Sequence, residues 1–595
     1  MAPGSKPTCK KNTSRDAHSF INRWGLAWKV PFSHIEREVD GELKTVPFLK
    51  PTSFVKYLLE RTPDLLFGGC PEVRLGQQHL KTFWEAYSTV HPSHRLFAEQ
   101  HASRALTNTV ALCLHGDEGR GLKKSNTTVI MLETCLGLDT HQHYCVGRSS
   151  YECGECELKE ATAKKFRTEA GFMPRPADEL PTCFYQRCNL RHHAFLTKFV
   201  LAVVPMKEKA VVEKILTEIT RDMICLFEQG VTLSNGQQWY GSITGLKGDL
   251  KWYQHIGGLE RCFSKQLKVD EHMCHECLAG TRQFPFEDAS DSPAWSQTLF
   301  KERPFSVRPV VCHIPFERDV LDNEAGEEQG SRPDERMFRR DIFHNTKMGV
   351  FRDFVASVIL LMCKLKYFNE AGTSNKRDIL IARAHARFHW FCKTTGRTAS
   401  LRCFSEAYFN VKSWSCFPWA SSKGSDTSHL LAWVHVLAVG ALNDPLQPSH
   451  KLIFQYIAST AAAARSFTKM SYSHGLWFHP HCARVFYQEL HKFLQGYNSC
   501  AFLCLNQFHF TGFAFKSKYH MVARMKYDTL SMLQAGAMTI NPQVWGCEAN
   551  EDVIGQICRL GRRVDTRNTS LRTLQLYLAK SKALHRRFRK QKKIS

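Results

Sequence analysis

Two apolar runs separated by a short polar segment dominate the stretch ALCLHGDEGRGLKKSNTTVIMLE, from Ala111 to Glu133. Each run is long enough for a buried strand, and the glycine-containing segment between them is typical of a hairpin turn. The run AFLTKFVLAVVP predicts a further buried strand or a short helix. The stretch VTLSNGQQWYGSITGLKGDLKW is again strand-like and contains Asn-Gly, a strong hairpin signal. These segments together predict a sheet.

Helical periodicity appears between these strand segments and on both sides of them. The segment KEKAVVEKILTEITRDMICLFEQG has apolar residues at helical spacing and ends at Gly230, which predicts an amphipathic helix. A strand pair, a strand, a helix and a strand in this order are typical of an α/β domain. Helical patterns also prevail in residues 21–105 and 338–535.

These patterns divide the chain into six predicted parts. Residues 1–20 are polar and basic, which predicts disorder, and residues 21–105 predict a small, mostly helical N-terminal domain. Residues 106–255 predict the first part of an α/β core with a Cys/His-rich insert, and 256–535 a mostly helical insertion. Residues 536–570 predict a closing helix of the core, and 571–595 a basic tail.

The charge balance narrows the range of partners. The chain has 595 residues, with 80 Lys and Arg against 56 Asp and Glu, so its formal net charge is +24. Such an excess predicts polyanionic partners, most often nucleic acid, although a basic protein without such a partner stays an alternative. No apolar stretch is long enough for a membrane span, and the N-terminus lacks the apolar segment of a signal peptide. We therefore expect an intracellular protein whose 23 cysteines are thiols or metal ligands.

Two basic stretches carry much of this charge. The C-terminal KSKALHRRFRKQKKIS predicts a nuclear import signal or a phosphate-binding arm, with a solvated tail as the alternative. The stretch GFAFKSKYHMVARMK, from Gly512 to Lys526, alternates basic and aromatic residues. This mixture predicts nucleic-acid binding, in which basic side chains contact the phosphate backbone and aromatic side chains stack on the bases. An element with one face in the core explains that stretch equally well.

Three acidic residues stand where strands or helices begin or end. Asp117 ends the first predicted strand, Asp249 follows another, and Glu551 lies near the start of a predicted helix. Two-metal phosphoryl transfer requires hard oxygen ligands that hold two Mg²⁺ ions about 3.5–4 Å apart. The three acids therefore predict such a site. An ordinary turn or helix-cap role is the alternative, and Glu548 and Asp552 compete with Glu551.

Cysteine and histidine pairs predict a structural zinc site. Cys274 and Cys277 form a C-x-x-C knuckle, and His474 and His479 form an H-x4-H pair that would complete a tetrahedral shell. Buried free thiols are the alternative for the knuckle. A second zinc is possible in the Cys/His-rich region; its candidate ligands are Cys153, Cys156, Cys183, Cys188, His192 and His193.

The spacing of these motifs resembles that of eukaryotic DDE cut-and-paste transposases of the CACTA and Transib type. The stretch GDLKWYQHIGGLERCFSK with the following HMCHEC looks like the acid-plus-knuckle region of those enzymes, and RRDIFHNTKMGVFRDF looks like their D-x-x-H-x-x-K segment. The resemblance covers scattered motifs in residues 106–565. It implies an RNase H-like core split by a zinc-bearing helical insertion, with Asp117, Asp249 and Glu551 as catalytic residues. It also implies Cys274, Cys277, His474 and His479 as zinc ligands.

The expected function is metal-dependent DNA strand cleavage and strand transfer in the nucleus, with two Mg²⁺ ions and structural Zn²⁺. DNA is the expected partner, a homo-oligomer is possible, and no membrane partner is expected. Glu489 and Glu548 stay open as alternatives for the third acid. Two other functions also stay open: a catalytically inactive, zinc-stabilised nucleic-acid-binding protein derived from a transposase, and an unrelated nuclease.

Overall fold

A computed structural model describes most of the chain. The described residues are 19–21, 23–39, 42–121, 125–146, 182–190, 194–206, 210–265, 270–317, 334–370, 374–443, 448–565 and 568–592. Most of the segment predicted to be disordered, residues 1–18, lies outside the described residues. The candidate ligands Cys153, Cys156, His192 and His193 lie outside them as well.

A mixed five-stranded sheet lies at the centre of the first half of the chain. Its strands are β3 (Thr109–Arg120), β4 (Asn126–Thr134), β5 (Lys198–Pro205), β6 (Val231–Thr232) and β7 (Gln238–Lys247), in the spatial order β5-β4-β3-β7-β6. The predicted hairpin is confirmed, because β3 and β4 pair antiparallel, whereas β7 runs parallel to β3. Nearly all side chains of β4 and β5 are buried, which explains why these strands read as continuous apolar runs.

Helices surround this sheet and form the second half of the chain. The helix predicted to end at Gly230 is confirmed and spans Val211–Glu228. The α-helices of the described residues are α1 (Pro51–Arg61), α2 (Val73–Val90), α3 (Thr140–Val146), α4 (Ala194–Thr197), α5 (Val211–Glu228), α6 (Leu250–Ile256), α7 (Ile342–Asn345), α8 (Phe351–Lys364), α9 (Arg377–Thr394), α10 (Gly424–Asn443), α11 (Pro448–Ser473), α12 (Pro480–Phe508), α13 (Ser517–Gln534), α14 (Glu548–Gly561) and α15 (Thr569–Lys592).

The buried side chains form two hydrophobic cores. The first surrounds the sheet and also contains residues from both ends of the chain, such as Trp28 and Tyr577. The second is built mainly from α8 to α13 and contains Cys274 and Cys277. The fold is therefore mixed α/β, with a largely helical segment placed between β7 and α14.

The N-terminal region is less helical than the pattern indicated. It contains an antiparallel hairpin of β1 (Phe32–Val39) and β2 (Glu42–Leu49) in addition to α1 and α2. Its apolar residues join the core of the sheet, where Phe54 packs against Phe199 of β5 with ring centroids 5.4 Å apart. This region is therefore packed onto the sheet and does not have a core of its own.

The basic C-terminal segment is part of a packed helix, α15, rather than a free arm. Leu574, Tyr577 and Leu578 are buried, and the Tyr577 hydroxyl donates to the Lys198 carbonyl at 2.8 Å. His585 pairs with the buried carboxylate of Asp64 at 2.8 Å. The periodic leucines explain this packing, although the run of basic residues dominates the sequence pattern.

In the described part of the chain, every helix is too short or too polar to cross a lipid bilayer.

Candidate functional site

Asp117 lies on the central strand β3 between two glycines that allow close packing. A Cβ at Gly116 would lie 2.0 Å from the Trp252 ring of α6, and one at Gly119 would lie 2.6 Å from Ile554 of α14. Helices α6 and α14 therefore approach the strand on either side of Asp117. The Glu118 N–H donates to Asp117 Oδ1 at 2.6 Å and fixes the orientation of this carboxylate.

Asp249 follows the neighbouring parallel strand and caps a helix. Lys247, the last residue of β7, is in register with His115 of β3, so the chain leaves the sheet beside Asp117. The Trp252 N–H donates to Asp249 Oδ1 at 2.7 Å, which makes Asp249 the N-cap of α6. Asp249 therefore has the helix-capping role that the sequence left open as an alternative. Its side chain also lies next to Asp117.

Glu551 lies in the first turn of α14, three residues before the Ile554 that contacts Gly119. This spacing places Glu551 on the face of the helix that approaches β3. His344 Nε2 lies 2.7 Å from Glu551 Oε1, and its Nδ1 lies 2.5 Å from Asp341 Oδ2.

The electrostatics show that the three carboxylates are neighbours. Burial, with the charge of Asp249 and then that of Glu551, raises the pKa of Asp117 to about 7, although the Glu118 N–H and the charge of His344 lower it. Like charges raise a carboxyl pKa only when they are close. Residues far apart in sequence are thus brought to one end of the sheet.

The competing acids have other surroundings. Glu548 is buried and bound by Lys347 at 3.1 Å and by the Tyr472 hydroxyl. Asp552 is exposed on α14, and Glu489 pairs with Lys492 at 2.7 Å on α12. Glu551, by contrast, is among the charges that raise the pKa of Asp117.

The segment that contains Asp341, His344 and Lys347 supports two of the three acids of α14, Glu548 and Glu551. His344 holds Glu551 while Lys347 holds Glu548, so the D-x-x-H-x-x-K spacing places one cation against each. Although burial opposes it, the charge of Asp341 and its hydrogen bond, with help from Glu551, raise the pKa of His344 to about 10. The sequence motif was visible, but nothing in its spacing indicated which residues it would contact.

Cys274 and Cys277 meet a histidine that the sequence pattern did not single out. In the described residues, Cys274, Cys277 and His520 form a buried group whose ligand atoms all lie within 4.8 Å of one another. Cys277 Sγ is 3.3 Å from His520 Nε2, and His520 Nδ1 donates to the Phe286 carbonyl at 3.2 Å. A ring nitrogen held by a backbone carbonyl is typical of a metal-binding histidine, so the cluster is compatible with zinc.

His474 and His479 lie elsewhere, against the 182–190 segment. The His479 ring contacts Phe184 at 5.5 Å, and Cys188 Sγ lies 3.8 Å from the Gly475 carbonyl. In the described structure these histidines do not join the Cys274 group. Burial raises the pKa of Cys183 and of Cys188 to about 12, as expected of thiols in a core. The only sequence signal for His520 was its place in the basic and aromatic stretch.

That stretch, from Gly512 to Lys526, serves mainly to build the second core. Lys516 pairs with Asp353 at 2.7 Å, Arg524 with Glu276 at 3.0 Å, and Lys526 with Asp291 at 2.6 Å. Its cationic groups have intramolecular partners, so the core-face interpretation describes it better than nucleic-acid contact.

A cationic cavity of about 1120 Å³ lies between α10, α11 and α12. Its charged lining residues are all basic; they are Arg397, Arg465, Lys469 and Arg484, together with His435 and His481. Burial lowers the pKa of Arg465, and the charge of Arg397 lowers it further, because the two guanidinium groups lie close together. Such a cavity is suited to an anionic ligand.

Comparisons with known proteins assign no family. No protein-family model matches the sequence, and no curated protein matches it significantly.

Proposed function

We propose that this protein catalyses metal-dependent DNA strand cleavage and strand transfer. The observation that carries the proposal is that Asp117, Asp249 and Glu551, from three distant segments, surround one end of β3. Acidic side chains that lie close together, with too few positive side chains beside them to balance their charge, are suited to binding divalent cations.

The donor set fits Mg²⁺ because it consists of carboxylate oxygens from three elements. Among the described residues, the oxygen atoms of these three carboxylates do not all lie within 4.8 Å of one another. A wider spacing suits two ions rather than one, since the ligands then divide between them. When bound, the ions would activate the attacking oxygen and stabilise the leaving oxygen.

The protein's own groups orient these ligands. Asp117 is fixed by the Glu118 N–H, Asp249 by the Trp252 N–H, and Glu551 by His344. Asp341 in turn fixes His344 and is itself held by the Cys547 N–H at 3.0 Å. These contacts lower the freedom of each carboxylate before any substrate binds.

The arrangement of the chain supports the resemblance to transposases with an RNase H-like core. The helical second core is inserted between β7 and α14, that is, between Asp249 and Glu551. This is where the resembling enzymes have their zinc-bearing insertion. We propose that Cys274, Cys277 and His520 hold that zinc, in place of the pair His474 and His479.

The charge distribution supports DNA as the partner. The net charge of +24 and the basic lining of the cavity between α10, α11 and α12 both favour a phosphate backbone. Nuclear location and self-association belong to the same proposal.

The test is incubation of the full-length protein with supercoiled plasmid and with DNA ends, in Mg²⁺ or Mn²⁺. We expect nicking and end joining by the wild type and at least about a 100-fold loss in Asp249→Ala, since a metal ligand is removed. Glu551→Gln should lose activity equally, whereas Asp552→Asn, its exposed neighbour, should remain active. Cleavage that survives Asp249→Ala would refute this mechanism, and cuts without end joining would indicate a nuclease.

A second candidate function is DNA binding without catalysis. The cationic cavity favours it, because none of the residues that line it belongs to the carboxylate site. DNA binding that persists in EDTA, with no strand cleavage in any divalent metal, would support this candidate over the first.

A further inference from the structure

A second group of metal-ligating side chains lies on the first hydrophobic core. Cys70, His79 and His141 have ligand atoms that all lie within 4.8 Å of one another. Cys70 and His79 are buried, and His141 is partly buried. The group is built from the loop before α2, the middle of α2 and the first turn of α3. It shares no residue with the carboxylate site or with the Cys274 group.

The local fold holds these three elements together. Gly68 and Gly69 have left-handed backbone angles, with φ of +66° and +85°, and they turn the loop back over α2. A Cβ at Gly68 would lie 2.6 Å from the Thr140 side chain, so the loop and α3 are in close contact. The His141 N–H donates to the Gly68 carbonyl at 2.9 Å, which fixes the start of α3 on the loop.

The buried histidine has an unused nitrogen. Within the described residues, His79 Nε2 has no hydrogen-bond partner, although only 5% of the residue is exposed. A buried polar atom without a partner is destabilising by about 1–3 kcal/mol and is rare in folded proteins. A bound cation would satisfy this nitrogen, because neutral imidazole is a common zinc ligand.

We propose that Cys70, His79 and His141 bind one zinc ion. A thiolate and two imidazoles are ligands typical of tetrahedral zinc, at about 2.3 Å for sulfur and about 2.0–2.1 Å for nitrogen. Cys145 supplies the fourth ligand, since it lies one helical turn after His141 with its Sγ 3.6 Å from His141 Nε2. Residues at i and i+4 share one face of a helix, so both can reach the same ion.

The ion would reinforce the contact of α3 with α2, where the Tyr144 ring already packs against His79 with centroids 5.3 Å apart. Helix α3 has only seven residues, too few for independent stability. The site is therefore structural, and its role is to fix the chain that follows β4 against the first core.

The test is the zinc content of the purified full-length protein, measured by mass spectrometry of the metal. We expect Cys70→Ser and His79→Gln each to lose one zinc equivalent relative to the wild type. Cys277→Ser should lose a different equivalent, so a variant with both Cys70→Ser and Cys277→Ser should lose two. Cys225→Ser, a partly exposed cysteine of α5, is the matched control and should lose none.

Folded Cys70→Ser protein with wild-type zinc content would overturn the proposal. If the variants do not fold, crystals of the wild type grown with zinc provide the second measurement. We expect an anomalous difference peak at the zinc edge between Cys70 Sγ and His79 Nε2, and the absence of that peak would equally overturn the site. Because neither readout depends on DNA cleavage, failure here is distinguishable from failure of the proposed function.

Discussion

At the scale of single residues, the candidate site depends on how the same side chain behaves in different surroundings. Asp249 caps a helix, as its position after a strand and before a helical pattern allowed us to expect. Asp117 has the same chemistry, but it is partly buried beside two other acids, and the pKa of Asp117 rises to about 7. The sequence identified both residues as candidates, whereas only the packed structure shows the raised pKa of Asp117.

We predict that Asp117→Asn stabilises the metal-free protein at pH 8. The folded-state pKa of Asp117 lies above the ordinary value of 3.8, so the folded protein binds the extra proton between about pH 4 and pH 7. The free energy of unfolding therefore falls as the pH rises through this window. At pH 8 the charged carboxylate destabilises the fold by on the order of 4 kcal/mol, because the pKa rises from 3.8 to about 7, and the amide removes this effect.

The measurement is denaturant unfolding of both proteins in EDTA from pH 4 to pH 8. The stability difference should be small at pH 4 and largest at pH 8. Added Mg²⁺ should stabilise the wild type and not the variant, since only the native site binds it. Parallel pH profiles for the two proteins would contradict the assigned surroundings of Asp117.

At the scale of elements, close packing of helices on β3 decides which acids meet. Gly116 and Gly119 leave room for Trp252 of α6 and Ile554 of α14, and the helices then present Asp249 and Glu551. The apolar runs predicted β3, β4 and β5 because these strands are buried on both faces. The pattern predicted α5 because its apolar residues recur at helical spacing. The β1–β2 hairpin was missed, since its strands FSHIEREV and ELKTVPFL alternate only weakly between polar and apolar residues.

We predict that Gly116→Ala destabilises the protein and disables the carboxylate site. The added methyl group would lie 2.0 Å from the Trp252 ring, so α6 must move and Asp249 with it. Overpacking of this kind typically lowers stability by about 1–3 kcal/mol. The matched control is Gly440→Ala in α10, where no atom lies within 4 Å of the added methyl group.

Thermal unfolding and plasmid nicking are the measurements for both variants. Gly440→Ala should be neutral or stabilising by up to about 1 kcal/mol, since alanine favours the helix. An unchanged unfolding temperature in Gly116→Ala would show that α6 does not pack on this glycine.

At the scale of the whole molecule, the two cores separate the carboxylates from the main cationic cavity. The acids lie on the sheet of the first core, and Arg465 and Lys469 project from α11 of the second. Under the proposed function, a DNA substrate long enough to span the two cores would contact both. The net charge predicted a polyanionic partner, but it does not show which basic residues could contact one, because many of them pair internally.

We predict that a variant with Arg465→Ala and Lys469→Ala binds DNA more weakly and with less dependence on salt. Each lost phosphate contact should reduce the slope of log affinity against log salt concentration by about 1. The control variant has Lys81→Ala and Lys492→Ala, two exposed lysines that each pair with an acid on their own helix. Fluorescence anisotropy with duplex DNA from 50 to 300 mM salt measures both, and equal slopes would rule out the cavity as a contact surface.

The sequence by itself determined the mixed α/β class, the central hairpin, the helical insertion and the three candidate acids. These follow from local periodicity and from residue chemistry, which a linear pattern records directly. The tertiary structure alone decided that Glu551 and not Glu548 faces Asp117, that His520 joins the C-x-x-C knuckle, and that Cys70, His79 and His141 form a group. Contacts between residues far apart in the chain depend on how helices pack against the sheet, and no local spacing records that packing.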